Sequence, residues 1–189
     1  MRLFVAITPP AGVLAELAAA VQPLQAVAPE LRWTTSSAWH LTLAFLGEVE
    51  EATVPELTTR LERAAHRHPR QRLAIAGAGA FPSATRAKVL WVGIRADQRA
   101  LASLAASVAA GARRAGAPPP DEGRKYSAHL TLARCRQPAN VAGLTAALAG
   151  FSTADWTAES VSLIRSQLGS GPPQYEDIGT WALTAGPGE

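Results

Sequence analysis

The pentapeptide His-Leu-Thr-Leu-Ala occurs twice in the 189-residue chain, at 40–44 and 129–133. Five identical residues that include a histidine, of which the chain has four, do not coincide by chance in so short a sequence. Each copy follows polar or turn-forming sequence and alternates as a β-strand does. With a side-chain period of two, His40 and Thr42 share one face, and Leu41 and Leu43 share the other. The second copy sorts His129 and Thr131 from Leu130 and Leu132 in the same way. The leucines fill a core. A buried His/Thr face needs hydrogen-bond partners or a ligand. A lone histidine on a strand is ordinarily a core or surface residue. A duplication retained for packing alone, however, has no need to keep both His and Thr.

Strand and helix signals alternate around these copies. Residues 2–7 read as a buried strand stopped by Pro9 and Pro10. Residues 11–27 place Val13, Leu14, Leu17, Val21 and Leu24 at helical spacing. A short extended piece at 31–34 precedes a strand at 39–46 that ends at Gly47, and 51–67 reads as a helix ended by Pro69. Strands are expected at 71–80 and 87–95, with a turn-rich loop from Phe81 to Arg86 between them. A helix over 97–115 stops at Gly116 and the prolines 118–120, and a polar loop runs from Asp121 to Lys125. A strand at 126–135, a short helix at 140–150 and two strands at 156–168 and 175–184 complete the chain. The last two are joined by a hairpin-like turn from Gly169 to Pro173. Hairpin links between adjacent strands favour an α+β fold over a doubly wound parallel sheet.

Composition narrows the function. The chain is 48% hydrophobic, enough for one compact domain or two small lobes with a shared core. The net charge of +3 comes without any run of five or more Lys/Arg of the kind a nucleic-acid tail carries. The single cysteine, Cys135, excludes an internal disulfide and a cysteine-based zinc site, and it reads as a small buried hydrophobe. No stretch reaches the ~20 apolar residues of a membrane helix, and the opening apolar run is too short for a signal peptide. A cytoplasmic protein without membrane association is expected. No G-x-G-x-x-G or Walker-type loop occurs.

Two imidazoles suit a specific task. The ring titrates near pH 6.5, so at neutral pH one can act as a neutral base and the other as a protonated acid. In-line hydrolysis of a phosphodiester requires that pair, one on each side of phosphorus. Threonine hydroxyls can donate to the non-bridging phosphate oxygens. Binding alone does not call for two titrating rings. Neither motif carries a nearby Asp, Glu or Cys to complete a metal's coordination, so a metal site at His40 and His129 is disfavoured and no cofactor is expected.

The sequence resembles the two-histidine (2H) phosphoesterase superfamily, and within it the RNA 2′,3′-cyclic phosphodiesterases, also called 2′-5′ RNA ligases. The resemblance covers nearly the whole chain. It runs through Arg2–Ile7, Arg32-Trp33, His40–Gly47, Val89–Gly93 and His129–Arg134 to Ser166, Tyr175 and Trp181. It implies a single two-lobed α+β domain over 1–189, with two antiparallel sheets lining a central cleft and helices outside. It implies metal-independent opening of RNA 2′,3′-cyclic phosphate ends to 2′-phosphates. Ligation would be the same chemistry reversed, with a 5′-hydroxyl replacing water. The implied partner is an RNA or nucleotide bearing the cyclic phosphate, handled by a monomer. By similarity His40 protonates the leaving 3′-oxygen and His129 activates water; the residues themselves leave that assignment open.

The resemblance also implies that Arg134 reaches the phosphate, although its odd offset from His129 puts it on the opposite face unless the strand ends or bulges. Phe45 holds the corresponding place after His40 and reads equally as a base-stacking or a core residue. Tyr126, with Lys125 and Arg124, either lines the cleft or belongs to a solvated loop. Arg86 and Lys88 are candidates for a basic rim, and Ser166 for the border of the site. His66 and His68 lack the motif's flanks and read as surface residues.

Overall fold

One copy of the repeated motif enters each of two antiparallel sheets. The computed structural model describes residues 1–120, 123, 125–169 and 173–186. Its elements in chain order are β1 (Arg2–Ile7), α1 (Ala11–Val27), β2 (Arg32–Trp33), β3 (Leu41–Glu48), α2 (Val54–Ala65), β4 (Gln71–Phe81) and β5 (Ala87–Arg95). They continue with α3 (Gln98–Arg114), β6 (His129–Ala139), α4 (Ala142–Leu148), β7 (Trp156–Ala158), β8 (Ser160–Gln167) and β9 (Gln174–Ala182). The first sheet has the order β3-β1-β8-β9 and the second β2-β6-β5-β4-β7. This is the α+β architecture expected, with the first motif on β3 and the second on β6.

The leucines of the two motifs do what their face requires. Leu41, Leu130 and Leu132 are fully buried. They join Leu3, Ile7, Leu73, Ile75 and Leu90 in a core that draws on both sheets. Truncating any of these to alanine costs about 2–5 kcal/mol.

The helices cross between halves. α1 buries Val13, Leu17 and Val21 at four-residue spacing, and its Glu16 carboxylate accepts from the Ala154 amide just before β7, at 3.1 Å. α3 leaves the second sheet but packs on β3 of the first and on α2. Its start is fixed by Asp97, whose carboxylate accepts from the Arg99 and Ala100 amides at 3.0 Å each. Where α2 meets α3, Gly111 leaves the Arg60 carbonyl 3.3 Å from where a Cβ would stand.

Several expected boundaries shift. The stretch 156–168 is two strands, not one. β7 pairs with β4 in the second sheet, and β8 pairs with β1 in the first. The apolar alternation slips by one residue at Glu159-Ser160, which is where the chain changes sheet. β6 begins at His129 rather than 126. β3 runs through Gly47, which takes φ 68° at an irregularity in the pairing with β1. Residues 51–53 form a 3₁₀ turn ahead of α2. Asp121, Glu122 and Arg124 of the polar loop, and Ser170, Gly171 and Pro172 of the late turn, lie outside the described residues.

Candidate active site

Both motif strands carry a β-bulge at the same place. β1 pairs Ala6 with Thr42 but Val5 with Ala44, which makes Leu43 the extra residue. β5 pairs Trp91 with Thr131 but Leu90 with Ala133, which makes Leu132 the extra residue. Each is the fourth residue of its motif. A bulge inverts the alternation beyond it. Leu43 and Ala44 are therefore both buried, as are Leu132 and Ala133. Phe45 and Arg134 return to the face that carries His and Thr. The odd offset that sends Arg134 away in a regular strand brings it beside His129 in a bulged one.

Each histidine sits half-buried against two aromatic rings. His40 meets Phe4 and Tyr175 edge-on, with centroids 5.5 and 5.1 Å away. His129 meets Phe81 at 5.0 Å and Trp91 at 6.1 Å. The Trp91 ring lies over Gly79, where a Cβ would come within 2.3 Å of it. The Nδ1–H of His129 donates to the Ser127 carbonyl at 2.7 Å. That fixes the tautomer and leaves Nε2 with its lone pair. His40 likewise hydrogen-bonds the backbone two residues upstream, at Ala38. Neither the Thr42 nor the Thr131 hydroxyl is engaged by another described residue.

Charge breaks this symmetry. Burial lowers the pKa of both histidines below 6.5, because it penalises the imidazolium. Asp177 then pulls His40 back toward the charged form. Arg134 pushes His129 further toward the neutral form. Asp177 shares with His40, Thr8, Ser37, Gln174 and Tyr175 the lining of an open hollow of about 620 Å³.

The two halves are tied reciprocally at the motifs. Thr34, ahead of the first motif, donates its hydroxyl to the Thr131 and Leu132 carbonyls of the second, both at 2.9 Å. The Trp39 indole donates back to the Thr34 Oγ1 at 2.9 Å. Tyr126, ahead of the second motif, donates its hydroxyl to the Thr42 carbonyl of the first at 3.2 Å. Burial pushes the Tyr126 phenol well above its ordinary range.

The other residues singled out in the sequence separate from this centre. Phe45 is half-buried with Phe4, Ala6, Ile164 and Tyr175, and the Arg2 guanidinium stands 5.0 Å from its ring centroid. Lys125, Arg86 and Lys88 are exposed. Ser166 lines a second hollow, alongside Arg2 rather than His40. His66 is exposed. His68 is half-buried and bonds the Ser107 hydroxyl of α3 at 2.7 Å, so it links two elements and is not a free surface side chain. Cys135 is half-buried at the edge of the core rather than enclosed. Among the described residues, no three His, Cys, Asp or Glu side chains gather as a metal site.

Phe4, Phe81, Trp91 and Asp177 were not legible as site residues. Phe4 and Trp91 reach a histidine from the strand beside its motif, Phe81 and Asp177 from strands farther across the sheets, and only the sheet order and register reveal them.

Similarity to known proteins follows the same lines. Residues 10–170 match the 2′-5′ RNA ligase superfamily. An RNA 2′,3′-cyclic phosphodiesterase of Aeropyrum pernix is 33% identical over 127 residues, which are 67% of this chain and 70% of that one. The structure of TT0787 of Thermus thermophilus superposes with a TM-score of 0.78 at 27% identity, covering 98% of this chain and 99% of the other. E. coli LigT complexed with 3′-AMP superposes with a TM-score of 0.72 at 27% identity, covering 97% and 98%.

Proposed function

Because the chain belongs to the 2′-5′ RNA ligase superfamily, we propose that it is a hydrolase that opens RNA 2′,3′-cyclic phosphate ends to 2′-phosphates, with His40 and His129 as its acid and base. The observation that carries this reading is the pair of identically bulged His-x-Thr strands, one from each sheet. Their unengaged threonine hydroxyls and the returning Arg134 stand on the same faces as the histidines.

The asymmetry of charge supports the division of labour. His129, kept neutral by burial and by Arg134, takes a proton from water at Nε2 as the water oxygen attacks phosphorus. His40, whose charged form Asp177 supports against the effect of burial, gives a proton to the 3′-oxygen as the P–O3′ bond breaks. The phosphate stays on O2′. Each ring ends in the other's starting protonation state, and exchange with solvent resets the pair. Thr42, Thr131 and Arg134 donate to the non-bridging oxygens, where charge rearranges in the transition state. Neither proton transfer calls on a metal. A 5′-hydroxyl in place of water would give a 2′-5′ linkage by the same attack. Phe45 and Tyr126 remain candidates for contacts to the nucleoside, although the Tyr126 hydroxyl is already committed to Thr42.

The test is turnover of a 2′,3′-cyclic nucleotide in the presence of EDTA. A 2′-phosphate product is expected, and loss of all activity on chelation would contradict the mechanism.

A further inference from the structure

A second hollow opens on the first sheet, about 370 Å³ in volume, with Arg2, Glu48, Arg165, Ser166, Gln167 and Leu168 among its lining residues. Arg2 and Ser166 continue the face that carries His40, while Arg165 and Gln167 alternate with Ser166 and line the hollow from the end of β8. Arg2 lies two residues before Phe4, and Ser166 two residues after Ile164, the cross-strand partner of Phe4. At about 3.4 Å per residue this places the hollow roughly 7 Å along the strands from the ring that touches His40. Tyr175 pairs with Ser166 on the same face, and its phenol senses the charges of both Arg134 and Arg2. The charge of Arg134 from the second motif and that of Arg2 from the hollow thus both reach Tyr175.

The lining has the chemistry of a nucleotide site. It presents two guanidinium groups and the Met1 ammonium against one carboxylate, that of Glu48, which the ammonium pairs with at 3.5 Å. Arg165 holds only a loose, exposed pair with Glu176 at 3.9 Å, which a phosphate oxygen can replace. Leu168 is 64% exposed, one of two large hydrophobic side chains so presented among the described residues. Its side chain offers an apolar surface for a base, and Gln167 beside it offers an amide for a base edge.

We propose that this hollow receives the internal phosphate and the nucleoside that precede the cyclic-phosphate end of an RNA strand. This extends the phosphodiesterase reading and rests on it. It makes an oligoribonucleotide, rather than a free cyclic mononucleotide, the preferred substrate class.

The test compares two stable products as probes: a nucleoside 2′-phosphate and a trinucleotide ending in the same 2′-phosphate. Affinities for the full chain are measured over a range of KCl concentrations. The trinucleotide is expected to bind about tenfold more tightly, as one added charge-assisted contact allows. Its log–log salt slope is expected to be steeper by about 0.7, the value for one phosphate contact on a single strand. Arg165→Gln should abolish the added slope and most of the length advantage. Leu168→Ser should reduce the advantage and leave the slope, and the surface control Arg63→Gln should change neither. Equal affinity for the two probes, or an advantage undiminished in both Arg165→Gln and Leu168→Ser, would overturn the proposal. Turnover of a cyclic mononucleotide is assayed in parallel. A length advantage without turnover would sink the phosphodiesterase reading and sustain the subsite; turnover without a length advantage would do the reverse.

Discussion

The Tyr126 hydroxyl donates to the Thr42 carbonyl at 3.2 Å, so the segment that leads into the second motif is anchored on the backbone of the first. Thr34 makes the converse tie, from ahead of the first motif to the Thr131 and Leu132 carbonyls of the second. Two copies of one pentapeptide, carried by different sheets, are thereby held in fixed relation, as a two-sided attack on phosphorus requires.

These ties should be separable from packing. Tyr126→Phe keeps the ring and removes one hydrogen bond, so a loss of about 1 kcal/mol in urea unfolding is expected. A several-fold fall in kcat with little change in KM should accompany it. Thr34→Val removes the bonds to two carbonyls and orphans the Trp39 indole, which is only 3% exposed. Its cost should be larger, about 1–3 kcal/mol. Wild-type kcat in both variants would show that the reciprocal bonds do not position the site.

Gly79 is expected to act through a ring it never shares a bond with. Any Cβ there collides with Trp91, and Trp91 packs on His129. Gly79→Val should lose about 1–3 kcal/mol through overpacking. It should also disturb the His129 imidazole resonance in an NMR titration while leaving that of His40 in place. An unmoved His129 signal would remove Trp91 from the positioning of the base.

The pH dependence follows from the signs of the shifts. Both histidines lie below pH 6.5 in the free protein, so the kcat/KM bell should be centred on the acid side of 6.5. A bound phosphate anion favours both imidazolium forms and should carry the kcat bell to higher pH. Asp177→Asn removes the charge that raises His40, so it should move the kcat/KM bell further toward acid and reduce turnover at pH 7. Arg134→Gln removes a charge that lowers His129, so the acid limb should move up, with a loss of about 1.5–3 kcal/mol from the missing phosphate contact. Profiles unmoved by either substitution would contradict the acid and base assignments.

Much of this was written locally in the chain. The repeated pentapeptide marked both strands and sorted leucine from histidine, because alternation is a property of neighbouring residues. The helix over 11–27 follows from the spacing of Val13, Leu17 and Val21. What escaped depends on pairing. Arg134 shares a face with His129 only because Leu132 has no partner on β5. Phe81 lies in what reads as a turn, yet β4 runs on through it to pair with Val89. Glu159 divides what reads as one strand, because β7 and β8 find different sheets. Register, bulge and choice of sheet are set by residues far apart in sequence.

The central claim is that His40 and His129 act as a pair on a cyclic phosphate. It is tested most directly by phosphorus NMR of a 2′,3′-cyclic nucleotide incubated in EDTA with the wild-type protein, with His40→Ala and with His129→Ala. The account predicts a 2′-phosphate as the sole product, full activity in chelator, and a fall of at least about 100-fold in each variant. A 3′-phosphate product, or near wild-type turnover by either variant, would contradict it.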